Sequence, residues 1–174
     1  MKILVISDIH GRRDRLREAL SIHKNADAVF FLGDGVRDIA HEDISSLGCV
    51  FAGVRGNCDG LSGSEYSYFN ELKLDLGEYT VLMMHGHTHS VKSGIDRAVR
   101  YAAERGADIL LYGHTHVAEE RYLPDGTELE DGYLLPRPMW IMNPGSLGEP
   151  RGDMPSYGLI QIQNGQILMS HGIL

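Results

Sequence analysis

The chain has 174 residues, 43% of them hydrophobic and 23% charged, which fits one soluble globular domain over residues 1–174 with a full hydrophobic core. A net charge of −8, with His neutral, argues against nonspecific or long nucleic-acid partners, since these need Lys and Arg facing phosphates. No apolar run approaches the ~18 residues of a membrane span, and Cys49 and Cys58 are too few for a disulfide framework, so a cytoplasmic protein with free thiols is expected.

The first apolar run, Lys2 to Ile6, ends in Ser7-Asp8-Ile9-His10-Gly11 and meets Asp8 too early for the core of a signal peptide. Leu16, Ala19, Leu20 and His23 then follow the i, i+3, i+4, i+7 spacing of an amphipathic helix within 12–25. Ala28–Leu32 is a second buried-strand pattern and stops at Gly33-Asp34-Gly35. A short helical segment is expected at about 38–47. Cys49–Val54 then runs into Arg55-Gly56-Asn57-Cys58-Asp59. Strands alternating with helical segments give an α/β rhythm with parallel pairing.

Farther on, Leu72, Leu74 and Leu76 alternate with polar residues, as in a half-exposed strand, and Gly77-Glu78 turns the chain into Tyr79–Met84 before His85. Ile95, Ala98, Val99 and Ala102 mark a second amphipathic helix ending near Gly106. Ile109–Tyr112 runs into Gly113-His114-Thr115-His116. A hairpin of Glu119–Leu123 with Thr127–Leu129 is expected around Pro124-Asp125-Gly126. Trp140–Asn143 reads as a strand, and Tyr157–Gln163 with Gln166–Ser170 as a hairpin across Asn164-Gly165. Gly-His-Thr-His occurs at 86–89 and at 113–116, but the flanking sequence does not repeat, so two separate loops are expected.

Five apolar runs thus end at metal-ligating side chains: Asp8 and His10, Asp34, Asn57, His85, and His114 with His116. In open α/β sheets the carboxyl ends of strands are where ligands collect. Carboxylate and imidazole together suit a borderline divalent cation. A two-metal centre, with ions ~3.5–4 Å apart, stabilises both the attacking and the leaving oxygen of an in-line displacement at phosphorus. Glycines beside these positions let the backbone come close.

In order and spacing these motifs resemble the calcineurin-like metallophosphoesterase family over nearly the whole chain. The short length, Gly56-Asn57-Cys58-Asp59 and Asn143-Pro144-Gly145-Ser146 followed by Arg151 are most similar to the small YfcE-type phosphodiesterase branch. The resemblance implies an α/β (α+β) fold, a four-layer αββα sandwich of two mixed sheets flanked by helices. It also implies two divalent ions, one held by Asp8, His10 and His116, the other by Asn57, His85 and His114, with Asp34 bridging. Hydrolysis of a phosphoester, more readily a diester, by a hydroxide between the ions follows from it. His and Asp ligands suit Mn²⁺ best, while Zn²⁺, Fe²⁺, Ni²⁺ and Mg²⁺ are compatible.

The catalytic candidates are Asp34, Asn57, His10, Cys58 and Asp59, and the candidate contacts to a small phosphoester are Asn57, His87 and Arg151. Cys58 departs from the family, which commonly has His there as the acid for the leaving group; a thiol with a reference pKa of ~8.5 is a poorer partner. Asp59 either orients a neighbour or satisfies backbone donors of its loop. His87 and His89 have no ligand role by family position, and Arg151 could grip phosphate through two parallel bonds. Asn143 and Ser146 shape their loop, and homo-oligomerisation is left open. One rival is a catalytically silent binding scaffold, as in the retromer subunit on the same fold, though that predicts degraded ligands. A metallo-β-lactamase-type reading of His85-x-His87-x-His89 needs Asp where His89 stands.

Overall fold

A computed structural model describes residues 1–42, 44–60, 68–152 and 154–174. Strands β1 (Lys2–Ile6), β2 (Ala28–Phe31) and β3 (Val50–Gly53) alternate with helices α1 (Arg13–Ile22) and α2 (Val36–Ala40), then a 3-10 turn at Ile44–Leu47. The expected helical segment is thus split in two, and Asp43 between its halves lies outside the described residues. β4 (Glu71–Leu76) and β5 (Tyr79–Met84) form a hairpin, followed by 3-10 turns, α3 (Asp96–Glu104) and β6 (Ile109–Tyr112). β7 (Ala118–Leu123), β8 (Met139–Pro144), β9 (Ser156–Gln163) and β10 (Gln166–Ile173) complete the chain.

Two five-stranded sheets result, in the orders β10-β9-β1-β2-β3 and β4-β5-β6-β8-β7. β1, β2 and β3 are parallel, as are β5, β6 and β8, while β9, β10, β4 and β7 are antiparallel additions. The apolar runs are continuous because both faces of these central strands are covered. Ile3, Val5, Phe30, Val81, Met83 and Leu111 point between the sheets. Their neighbours Leu4, Ile6, Val29 and Phe31 pack outward on Leu16, Ala19 and Leu20 of α1 and on Val36 and Ile39 of α2. Leu82, Met84, Leu110 and Tyr112 pack on Ala98, Val99 and Ala102 of α3. The layers run helix, sheet, sheet, helix. Each fully buried aliphatic or aromatic side chain contributes about 1.5–3 kcal/mol, and β1 buries such side chains on both of its faces.

One expected element is corrected. Glu119–Leu123 does not pair with Thr127–Leu129. β7 lies antiparallel along β8, from Ala118 against Pro144 to Leu123 against Met139. Thr127–Leu129 forms only a bridge from Glu128 to Leu134. The turn at Pro124-Asp125-Gly126 was legible, but tertiary burial overrode local pairing: Leu129 and Leu135 are drawn onto the α3 side of the second sheet. The Asn164-Gly165 hairpin forms as expected, with φ of 52° and 70° at its two turn residues.

Candidate metal centre

The loops that follow β1, β2, β3, β5 and β6 meet at one end of the sandwich. Ligand atoms of Asp8, His10 and His116 lie within 4.8 Å of one another, as do those of Asp34, His85 and His114, and those of His10, Asp34 and Cys58. Asn57 joins through Oδ1, 3.2 Å from His85 Nε2. All seven positions named from the strand ends therefore fall in one cluster.

The backbone there is unusual in a consistent way. Among the described residues, seven non-glycine positions have positive φ, and five are Asp8, His10, Asp34, His114 and His116. Each such residue costs of order 1–3 kcal/mol, a strain that gathers at functional sites. The loops are also pressed together. A Cβ on Gly56 would lie 2.1 Å from Asp34 Oδ1, and one on Gly113 would lie 2.1 Å from Ser7 Oγ. The two Gly-His-Thr-His segments differ, the first forming a 3-10 turn at His87–His89 and the second carrying positive φ at both of its histidines.

Asp8 is fully buried. Its Oδ2 accepts bonds from Ser7 Oγ at 2.6 Å and from the His114 amide at 3.0 Å. Its Oδ1 is buried without a hydrogen-bond partner among the described residues, yet His116 Nε2 is 3.1 Å away and His10 Nε2 3.7 Å away. Burial alone would raise the Asp8 pKa; the nearby imidazoles of His10, His116 and His85 and the bond from Ser7 outweigh it and hold the carboxyl well below its ordinary range. A buried carboxylate surrounded by imidazole nitrogens calls for a cation among them.

The histidine tautomers sharpen this. His85 Nδ1 lies 2.7 Å from the Leu32 carbonyl, which can only accept, so Nδ1 carries the proton. The Nε2 lone pair of the neutral ring then faces Asp34 Oδ2 at 3.3 Å and Asn57 Oδ1 at 3.2 Å. His116 repeats the pattern, with Nδ1 2.6 Å from the Glu149 carbonyl and Nε2 toward Asp8. Three acceptors facing one another are resolved by a proton or a metal ion, and imidazoles pinned from behind by carbonyls are how metal-binding histidines are oriented. Burial works against protonating His85, but Asp34 and Asp8 overcome it and raise its pKa. His114 goes the other way, down to about 4, through burial and the charges of His85 and Lys92, so its ring is neutral near pH 7. The donor set fits borderline divalent ions.

Asp34 is buried, and its Oδ1 accepts the Cys58 amide at 2.7 Å. Burial pushes its pKa up, while His85 and Cys58 pull it down to about 2. Both oxygens of Asp59 are taken up by backbone: Oδ2 accepts the amides of Asp34 and Gly56, and Oδ1 those of Gly35 and Val36, at 2.8–2.9 Å. Asp59 thus satisfies backbone donors and ties the β2 and β3 loops together. Cys58 is exposed overall, but partial shelter and the neighbouring Asp34 carboxylate push its thiol up to about 11.

The remaining candidates are less engaged. The His87 ring lies 5.4 Å from His85 and 6.1 Å from His114, and its Nδ1 is buried without a partner among the described residues. His89 turns away onto Tyr101, with ring centroids 4.4 Å apart. Arg151 is exposed; its backbone amide donates to the His116 carbonyl at 3.0 Å, and its guanidinium has no partner among the described residues. Sequence reasoning missed Ser7, Leu32 and Glu149. Ser7 at least adjoins Asp8; the other two act through carbonyls that any residue could supply.

Residues 1–165 match the calcineurin-like phosphoesterase superfamily domain. The chain belongs to that superfamily. A probable metallophosphoesterase, YsnB, of Bacillus subtilis is 31% identical over 94% of this chain and 86% of its own. The phosphodiesterase YfcE of Escherichia coli is 26% identical over 92% and 87%. Among solved structures, a predicted phosphoesterase from Streptococcus pneumoniae superposes with a TM-score of 0.72 at 27% identity, over 98% of this chain and 87% of that one. Vacuolar protein sorting 29 from Cryptosporidium parvum shares the fold, with a TM-score of 0.68 at 16% identity over 99% and 97%. As a superfamily member the chain carries a phosphoesterase fold whose loop end gathers metal-ligating side chains.

Proposed function

We propose that residues 1–174 act as one domain, a cytoplasmic phosphodiesterase that hydrolyses a small phosphoester with two divalent ions, Mn²⁺ foremost. The observation carrying this reading is the buried Oδ1 of Asp8, without a donor and ringed by His116, His10 and His85. Asp8, His10 and His116 would hold one ion, Asn57, His85 and His114 the other, and Asp34 would bridge. When bound, such ions neutralise charge on phosphoryl oxygens and lower the pKa of a water toward neutrality. The protein's part is orientation. The Leu32 and Glu149 carbonyls keep the lone pairs of His85 and His116 inward, and Asp59 positions Asp34 through its amide. Asn57, His87 and Arg151 would contact the substrate oxygens. Cys58, with its raised pKa, is a weak proton donor. The reaction then depends on leaving groups that depart without much protonation.

A binding-only scaffold needs none of this geometry, and the proximity of all seven proposed ligand positions supports the catalytic reading. Metal-stripped protein reloaded with Mn²⁺ should hydrolyse bis(p-nitrophenyl) phosphate, and the stripped protein should not. A fully loaded but inert protein would favour the scaffold.

A further inference from the structure

Residues 144–149, the last residue of β8 and the loop after it, contribute no side chain to the seven ligand positions, yet they touch one side of the centre repeatedly. Ser146 Oγ donates to the Asp8 carbonyl at 2.8 Å and accepts the Glu149 amide at 2.8 Å. The Gly148 amide also donates to the Asp8 carbonyl, and the Leu147 amide to that of Ser7. The Glu149 carbonyl takes the His116 ring proton at 2.6 Å. From outside, Arg15 of α1 pins the loop by donating from Nη1 to the carbonyls of Leu147 and Gly148, at 2.8 and 3.0 Å. Ser146 is fully buried, so these bonds run out of water. On the other side, the His85 ring is held by Leu32 and the Asp34 backbone by Asp59, with no hydrogen bond from this loop among the described residues.

We infer that the 144–149 loop, fixed by Ser146 and Arg15, is the positioning element for the Asp8–His116 half of the centre and sets the affinity of that ion separately from the other. The inference rests on the two-ion reading proposed above. Ser146 and Arg15 are positioning residues; neither reaches a ligand atom. Asp8 holds positive φ at 53°, and the Ser146 and Gly148 bonds to its carbonyl keep it there. Loss of a partner that orients a metal ligand typically costs ~10–100-fold in metal affinity.

The test is calorimetric titration of chelator-stripped protein with Mn²⁺ alone, with thermal melts of the metal-free proteins alongside. Wild type should bind two ions. Ser146→Ala should weaken one event by about tenfold or more and leave the other within about twofold. Arg15→Met, at a half-exposed helix position, should weaken the same event by a smaller factor. In a His116→Ala background, which keeps only the second event, adding Ser146→Ala or Arg15→Met should change nothing. The inference is overturned if the remaining ion weakens as much in that background, if both events fall together, or if neither variant moves either event. A wild type that binds no ion would overturn the two-ion reading and this inference with it, whereas two events of which Ser146 touches neither would sink the inference alone.

Discussion

At Asp8 a carboxylate removed from solvent keeps Oδ2 bonded to Ser7 and the His114 amide, while Oδ1 has only imidazole nitrogens near it. Leaving a buried charged acceptor unmet costs more than the ~1–3 kcal/mol of a neutral one, so the site is built for a positive charge. Cys58 is the residue where chemistry departs most from family habit. Its thiol, raised to about 11, stays protonated at neutral pH, and only the thiolate reacts with alkylating agents. In metal-free protein, alkylation of Cys58 by iodoacetamide, followed by mass spectrometry, should accelerate about tenfold per pH unit from neutrality upward. A plateau near the ordinary thiol value of ~8.5 would contradict the raised pKa. Most of the clustered positions were legible because Asp, Asn and His at strand ends break an otherwise apolar pattern. Ser7, Leu32 and Glu149 were not, since a carbonyl carries no signature in a side-chain sequence. Asp59 was visible as a residue but ambiguous in role, until four backbone amides were found on its two oxygens.

Among the elements, the central strands matter as launching points: β1, β2, β3, β5 and β6 each hand the chain to a loop that must fit against its neighbours. The fit is tightest where the β3 loop passes the β2 loop. Gly56→Ala would put a methyl group 2.1 Å from Asp34 Oδ1 and 2.6 Å from the Asp34 amide nitrogen, so one loop must move. A cost of about 1–3 kcal/mol is expected from overpacking, read as a lower urea midpoint of the metal-free protein, together with weaker Mn²⁺ binding. An unchanged midpoint would mean the loops are looser than their contacts indicate. Periodicity made α1 and α3 readable to within a few residues at each end, because one apolar face of each packs on a sheet. It failed at Thr127–Leu129, where the long-range β7–β8 pairing prevailed over a plausible local hairpin.

For the whole molecule, the αββα layering explains why distant segments build one site. Parallel β1-β2-β3 and parallel β5-β6-β8 deliver their C-terminal loops to the same end, and Asp8 from one sheet meets His85 and His116 from the other. The net charge of −8 would not oppose phosphate binding there, since the two divalent ions proposed would outweigh Asp8 and Asp34 locally. The order of the strands in each sheet was beyond sequence reasoning; the alternation of strand and helix indicated layers, not neighbours. The central claim, that Asp34 bridges two ions which together carry phosphodiester hydrolysis, is tested most directly by Asp34→Asn. Metal content and bis(p-nitrophenyl) phosphate hydrolysis would be measured on the same Mn²⁺-loaded sample. The account predicts fewer than two tightly held ions and a fall in rate of at least about a hundredfold. Two ions retained with full activity would contradict it.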